Sequence, residues 1–383
     1  MKKQYIILLL LFVLIAFLEK NVKAAILDVP SGYSTIQLAI NSAQAGDTVL
    51  VRPGNYYETP IVKANIFLIG SGYNSTFING GGIGNSTGSV IQIDGNGCTI
   101  EGFTIENANL NYWNNLGAGI DGNSFGLTAI NNRIRNCRIG IRLYNNLSDS
   151  SIVERNIIQD NLGLCGIIVS WAKAQIINNT VYNNARGIQY YYSTPNIINN
   201  IVTNNYEYGI VSFDSIVTTI RYNDVFNNGI NYSFIPDQTG INGNIALDPL
   251  FVNDTLRDFN LTINSPCIDS GDTLTPKDPD STRVEIGALY FLHSNIGLQN
   301  KITTKELIMY PNPTKIKLII NLQQPSNLQN STVYIYDLQG QMLMQHSIQQ
   351  QQTELNISQF TKGIYIVKVY NEKETLVSKF IKE

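Results

Sequence analysis

Gly166-Ile167-Ile168-Val169-Ser170-Trp171, then Ile176-Ile177-Asn178-Asn179, then Asn183-Asn184, with the next Gly187-Ile188 following at once: this stretch decides the fold. The same unit begins at Gly119, Gly140, Gly166, Gly187 and Gly209, with a partial copy at Gly229, at spacings of 21, 26, 21, 22 and 20 residues. Each unit holds a second apolar run, at Ala129-Ile130, Ile152-Val153, Ile176-Ile177, Ile197-Ile198 and Thr219-Ile220. Each closes on Asn136, Asn161, Asn183-Asn184, Asn204-Asn205 or Asn227-Asn228. Runs this short and this rich in Ile and Val are strands. Asn and Gly stand between them, where the chain turns or enters left-handed dihedrals. One unit cannot bury its apolar side alone, whereas copies stacked about 4.8 Å apart bury a continuous core and bring their Asn side chains into a ladder. The fold class is therefore all-β, a right-handed single-stranded parallel β-helix. The Leu-x-x-Leu-x-Leu pattern of leucine-rich repeats is missing.

Working toward the N-terminus, Tyr33 to Ile40 reads as a short amphipathic helix with Ile36, Ala39 and Ile40 on one side, placed to cap the open end of a solenoid. Ala45-Gly46-Asp47-Thr48-Val49 and Arg52-Pro53-Gly54-Asn55-Tyr56 follow as turn-and-strand segments, and Asp248-Pro249-Leu250-Phe251 with Ser265-Pro266-Cys267-Ile268-Asp269 closes the repeat. Over about residues 26 to 290 the chain resembles the secreted parallel β-helix proteins of the pectate-lyase-like superfamily. That superfamily includes lyases, hydrolases, epimerases and adhesins, so the resemblance implies a fold more than an activity.

Before the repeat lies a secretory pattern: Lys2 and Lys3, the apolar run Tyr5 to Phe17, and Val22-Lys23-Ala24 as a cleavage site. Residues 1–24 are expected to be a signal peptide and residues 25–293 the β-helix. No later run is long and apolar enough to span a membrane. Residues 294–304 read as a linker. From 305 to 383 strict alternation with Gly turns, as in Thr332 to Tyr336 and Lys362-Gly363-Ile364-Tyr365-Ile366-Val367, predicts a small β-sandwich. Its motifs Tyr310-Pro311-Asn312-Pro313-Thr314, Tyr336-Asp337-Leu338-Gln339-Gly340-Gln341 and Lys362 to Val369 resemble the C-terminal sorting domain of the type IX secretion system. The resemblance implies that secretion machinery as a partner, and a location at the outer-membrane surface or in the medium.

Net charge is -3 with 14% charged residues, which leaves no basic surface for nucleic acid. The four cysteines, Cys98, Cys137, Cys165 and Cys267, are widely spaced and read as small core residues. With the repeats aligned on glycine, the second residue after it points outward (Asp121, Arg142, Ile168, Gln189, Val211), as does the fourth (Asn123, Tyr144, Ser170, Tyr191, Phe213). Trp171, Tyr192 and Asp214 stand at the following turn. Aromatics with scattered polar groups suit the apolar faces and hydroxyl edges of sugars, so Tyr144, Trp171, Gln189, Tyr191, Tyr192 and Phe213 are the expected polysaccharide-binding residues. Insertions at Ala108 to Ala118, with Tyr112 and Trp113, and at Asn145 to Ser150 are placed to wall a groove.

Catalytic signatures are sparse. The Asp-Asp and Gly-His-Gly patterns of polygalacturonase-like enzymes are missing, and both histidines, His293 and His346, fall outside the repeats. Lyases of the resembled fold use Arg or Lys as base with carboxylate-bound Ca²⁺, which nominates Arg142, Lys173 and Arg186, with Asp121 beside Arg142. A surface ion pair is the plainer reading of Asp121 and Arg142. No metal ligand set is assigned. The acidic loop Asp272, Asp278 and Asp280 leaves Ca²⁺ open as a cofactor while fitting an ordinary turn better. The expectation is a secreted protein that binds polysaccharide and, if an enzyme, cleaves it as a lyase or glycoside hydrolase; the alternative is a non-catalytic adhesin or structural surface protein.

Overall fold

The computed structural model describes residues 24–110, 116–123, 126–216, 218–293, 307–321, 331–337, 342–348, 350, 352–370 and 375–383. Of the signal peptide expected over residues 1–24 all but the last residue lies outside them, as do Tyr112 and Trp113 of the first insertion and residues 294–304. The chain divides into two compact units with the boundary between Leu292 and His293.

The first unit is a parallel β-solenoid of about eight turns. Each turn contributes three strands, not two. A glycine face runs through Ile91–Ile93, Ala118–Gly122, the first parts of Ile139–Glu154 and Cys165–Ile177, Arg186–Tyr191, Tyr208–Ser212 and Ile230–Ser233. A second face runs from Ile26–Val29 through Thr48–Val51, Phe67–Gly70, Thr99–Glu101 and Thr128–Ile130 to Asn196–Ile198 and Ile220–Arg221. A third stacks Gly54–Tyr56, Thr76–Asn79, Thr104–Glu106, Arg133–Arg135, Ile157–Gln159, Thr180–Tyr182, Ile201–Thr203 and Asp224–Phe226. Three-residue strands bounded by Asn on both sides read as turn in the sequence, which is why the third face was not legible there.

The core is built from inward residues stacked turn over turn. Ile120, Ile141, Ile167, Ile188 and Ile210 stack on the glycine face, against Ile100, Ala129, Val153, Ile176 and Ile197 of the second and Ile105, Ile134, Ile158, Val181 and Val202 of the third. All are buried, and each Ile or Val so placed is worth roughly 1.5–3 kcal/mol.

Two asparagine ladders hold the corners. Asn132, Asn156, Asn179, Asn200, Asn223 and Asn244 form one: each amide Nδ2 donates to the next rung's Oδ1 at 3.0–3.1 Å. Each Oδ1 also accepts the backbone N–H of the preceding rung's Asn, as in Asn156 N to Asn179 Oδ1 at 3.0 Å. Asn161, Asn184, Asn205 and Asn228 form the second ladder. These side chains are almost wholly buried, so satisfying every polar atom matters energetically. The residue before a ladder Asn takes the left-handed conformation, with φ of 51–59° at Asn131, Asn178, Asn183, Asn199 and Asn204, the region that Asn tolerates best among residues with a side chain. The repeating glycine has another cause. A Cβ at Gly140 would lie 2.4 Å from the carbonyl oxygen of Gly166, so the neighbouring rung excludes any side chain there. The last rung departs from the expected register: Tyr208 pairs with Ile230 and Ile210 with Tyr232, which puts Asn231 rather than Gly229 in the glycine column.

The first turn is capped, and the chain after the last turn covers one side of the solenoid. Helix α1 (Ile36–Ser42) starts at Thr35, whose Oγ1 accepts the Leu38 N–H at 3.1 Å, and buries Ile36, Ala39 and Ile40 over the first turn. At the other end a two-stranded antiparallel element (Phe251–Asn253 with Asp258–Leu261) opens a segment that folds back along the outside of the third face. Phe259 and Ala288 cover Ile157 and Tyr182, while Leu261, Cys267 and Ile286 cover Ile201.

The second unit has antiparallel sheets of three and four strands around Leu318, Ile320, Val333, Ile335, Val367, Val369 and Phe380.

Candidate functional site

The folded-back segment decides which surface is free. Under it the outer side of the third face is buried: Ile157–Gln159, Thr180–Tyr182 and Ile201–Thr203 are buried on both sides. Among the described residues none covers the glycine face in this way at its far edge, where it turns into the second face. Four successive turns place an aromatic there, each the first residue beyond the paired glycine-face segment: Trp171, Tyr192, Phe213 and Phe234. They are 44%, 55%, 45% and 56% exposed. Trp171 and Tyr192 stack with centroids 4.3 Å apart and planes 28° apart; Phe213 and Phe234 lie 5.5 Å apart.

Trp171, Tyr192 and Phe234 have φ of 53°, 48° and 58°. A bulky residue in the left-handed region costs of order 1–3 kcal/mol and persists only where its surroundings impose it. The supports are visible. Ser193 Oγ accepts the Ala172 N–H at 3.1 Å. The Asp214 carboxylate accepts the Tyr192 N–H and, at 2.8 Å, the Ser212 hydroxyl. Burial acts to raise the Asp214 carboxyl, but these bonds and one from the Ile216 N–H outweigh it and hold the group below the usual carboxylate range. Asp214 is thus an ionised support, not an acid.

The expected site residues divide into three groups. Trp171, Tyr192 and Phe213 come together at the edge as anticipated, with Tyr191 edge-on to Tyr192 at 5.9 Å. Phe234 joins them; its signal was an aromatic every 21 residues from Trp171 onward, hidden by taking Gly229 as the start of the last unit. The second group is polar and more buried than expected. Asp121 and Arg142 bond at 2.7 Å with side chains 3% and 16% exposed, and the guanidinium lies 4.5 Å from the centre of the Tyr144 ring. The surface ion pair of the sequence reading is therefore a mostly buried one. Arg186 binds Glu207 at 2.6 Å and donates to the Gln189 side-chain Oε1 at 2.9 Å, with Phe213 5.4 Å away. Lys173 stands apart, exposed on the second face opposite Ser150. The insertion after Tyr144 falls beside this edge: Asn146 pairs with Ala172 and Ser150 with Lys173, so the extra residues bulge next to Trp171.

Among the described residues of this surface, no two carboxylates are free to act as an acid and base. Asp121 is held by Arg142, Glu207 by Arg186 and Asp214 by backbone. A groove of about 1110 Å³ opens at a different corner, lined by Gly82, Asn109, Leu110, Asn136, Asp160 and Leu162. Its carboxylate, Asp160, is engaged by Arg257 at 2.7 Å and Asn183 at 2.6 Å. All four cysteines are unpaired and buried; burial pushes the Cys137 and Cys165 thiols up to about 12, which leaves them inert.

The chain belongs to the NosD family of parallel β-helix proteins: the family model described as periplasmic copper-binding protein (NosD) matches residues 40–247. Residues 308–383 match the secretion system C-terminal sorting domain. They are the type IX sorting domain, and the protein is secreted or displayed on the cell surface. No described helix is long and apolar enough to cross a membrane. A stretch of 79 residues is 33% identical to the funoran endo-β-hydrolase of Wenyingzhuangia aestuarii, covering 20% of this chain and 11% of that enzyme. The chain thus spans about a tenth of the length of that curated relative. Solved structures with similarity include the PL6 family alginate lyase AlyGC (TM-score 0.36, 14% identity, 53% of this chain and 32% of that one). Pectin methylesterase PemA from Erwinia chrysanthemi gives a TM-score of 0.34 at 13% identity, over 55% of this chain and 80% of that one. The copper of the family description finds no soft ligand set among the described residues of the β-helix: its thiols are buried and protonated, and no histidine lies on the rungs. No chemistry is assigned to it.

Proposed function

We propose that the β-helix unit binds polysaccharide along the edge formed by Trp171, Tyr192, Phe213 and Phe234. The carrying observation is those four aromatics, on successive turns, held exposed in backbone conformations that three of them adopt at a cost. Successive rungs about 4.8 Å apart give a row of flat apolar surfaces along the helix axis, suited to the C–H faces of consecutive sugar rings. Arg142 with Asp121, and Arg186 with Gln189 and Glu207, supply hydroxyl-binding groups beside the row. The shared stretch with a funoran endo-β-hydrolase points to the same ligand class. Binding is the activity this surface supports. Cleavage would need an acid or base beyond the engaged groups described above, and the adhesin reading has no observation of its own in its favour.

The test is retention of the secreted chain on a panel of neutral and acidic polysaccharides, scored with reducing-end and unsaturated-product assays. Trp171→Ala and Tyr192→Ala should each weaken retention roughly tenfold or more, the loss of about 1.4 kcal/mol or above expected at a central aromatic contact. Unchanged retention in the double variant would sink the proposal. Product formation would move the reading from binding to cleavage.

A further inference from the structure

Past the aromatic edge the chain enters the second face, and the side chains it carries there bear on the kind of sugar the edge can take. Tyr192 is followed by Thr194 and Asn196, and Phe213 by Thr218 and Thr219. These four, with Arg221 and Asn242, line a hollow of about 630 Å³ that begins two residues beyond Tyr192. Strand register sets its layout. Gln175 pairs with Asn196, and the Ile197 N–H donates to the Thr219 carbonyl of the next rung at 2.8 Å. Gln175, Asn196 and Thr219 therefore stand on successive turns, about 4.8 Å apart, in a polar column that runs alongside the aromatic one. Asn196 Nδ2 donates to Gln175 Oε1 at 3.2 Å, and the Thr218 hydroxyl donates to the Pro195 carbonyl at 2.5 Å. Thr194, Thr219 and Asn242 are exposed.

Charge is the second observation. From Trp171 to Arg221 the chain carries five charged side chains: Lys173, Arg186, Glu207, Asp214 and Arg221. Arg186 is paired with Glu207, and Arg221, inside the hollow, is held by Asp272 of the closing segment at 2.6 Å. Arg142, on the turn before, is held by Asp121. Lys173, exposed on the second face, and the ionised Asp214 are left, and their charges cancel. A polyuronate or a sulfated glycan brings many negative charges, which several cations must meet to offset their desolvation. One lysine against one aspartate does not supply them. Amides and hydroxyls both donate and accept, as the hydroxyls of an uncharged sugar require.

We propose that the hollow of Thr194, Asn196, Thr218, Thr219 and Asn242 is a subsite continuous with the aromatic edge, and that the polysaccharide it takes is uncharged. The inference rests on the polysaccharide-binding reading above and narrows it. Tyr192 and Phe213 cover the faces of sugar rings, and Asn196 and Thr219, one rung apart, take their hydroxyl edges.

The experiment is retention of the full chain on three neutral polysaccharides (galactomannan, xyloglucan and agarose) and three polyanions (alginate, polygalacturonate and carrageenan). Each is run from about 20 mM to about 500 mM NaCl, over which the screening length falls from roughly 20 Å to roughly 4 Å. At least one neutral chain should be retained more strongly than any polyanion, and its retention should change less than about twofold with salt. Thr194→Val combined with Thr219→Val replaces two exposed hydroxyls by methyl groups of the same shape. It should weaken that retention about fivefold or more without moving the melting temperature. Stronger retention on a polyanion, released by salt, overturns the proposal and leaves polysaccharide binding standing. Neutral retention that falls in Trp171→Ala but not in the double valine variant keeps the edge and overturns the subsite. Retention on none of the six removes the polysaccharide-binding reading, and this one with it.

Discussion

The outer surfaces of the third face and of the glycine face begin alike and end differently. Both carry large apolar side chains on strands stacked rung over rung. On the third face Ile157, Tyr182 and Ile201 lie under Phe259, Leu261, Cys267, Ile286 and Ala288 of the chain's own closing segment. On the edge of the glycine face Trp171, Tyr192, Phe213 and Phe234 keep about half their surface in water. The first arrangement contributes stability; the second forgoes it and adds backbone strain. A surface that the protein leaves uncovered at a cost is the one available to a ligand.

The comparison can be broken by removing the cover. Phe259→Ala should cost about 3–5 kcal/mol, the range for a buried aromatic whose cavity collapses poorly. Phe259 is 2% exposed and packs its ring 5.0 Å from Tyr182 and 5.1 Å from Phe251. Urea unfolding of the full chain checks it, and a loss below about 1 kcal/mol would mean that the cover is loosely attached. The corner ladder comes next. Asn200 accepts the Asn179 N–H at 2.9 Å and side-chain N–H at 3.0 Å, and donates to the Ile176 carbonyl at 2.8 Å. Asn200→Ala leaves those buried groups unsatisfied, so a loss of about 2–4 kcal/mol is expected in the same assay. Asn200→Asp, which keeps the acceptor and loses the donor, should fall between the alanine variant and wild type at acid pH.

How far the sequence reveals each half of this comparison follows from the range of the interactions. Gly-Ile and Asn-Asn recur because the ladder and the close approach of rungs at Gly140 act at every turn, so repetition makes them readable. The cap helix shows because Ile36, Ala39 and Ile40 obey a local period. Phe213 was found because alternation along a strand fixes which side chains face out, and Trp171 and Tyr192 because they stand at the turn that follows the strand. Phe234 was missed because the last rung shifts its register, with Asn231 replacing a glycine. The third face escaped because its strands are three residues long and flanked by Asn. Nothing local marks Phe259 as the cover for Tyr182; that contact depends on how a segment without repeats folds back. The burial of Asp121 and Arg142 likewise depends on neighbours outside their own strand.

Under the cover, Asp224 gives a pH-dependent measure of how dry the third face is. It is wholly buried, accepts the Leu247 N–H at 3.0 Å and contacts the Cys267 thiol at 3.3 Å; burial raises its carboxyl from 3.8 to about 6. Because the folded-state value is raised, the folded protein holds a proton that the unfolded chain gives up above pH 3.8. Stability from this group is therefore fully present below about pH 4 and is lost as pH climbs through about 6. Asp224→Asn should abolish that loss. The stability difference between variant and wild type should grow by roughly 2–3 kcal/mol between pH 4 and pH 7 and then level off. A difference that stays flat with pH would show that water reaches the carboxylate beneath the segment.

The smallest stability effect is expected where the functional effect is largest. Trp171 is 44% exposed, and its φ of 53° suits Asn far better than Trp. Trp171→Asn gives up the stack on Tyr192, worth about 0.5–1.5 kcal/mol, and relieves strain of similar size. The two effects nearly cancel, so the melting temperature should stay within a degree or two of wild type while polysaccharide retention falls. Melting lowered by many degrees, with retention intact in the folded fraction, would show that the ring is there to hold the corner. The glycine face would then be covered by its own aromatics in the way the third face is covered by Phe259, and the contrast between the two surfaces would disappear.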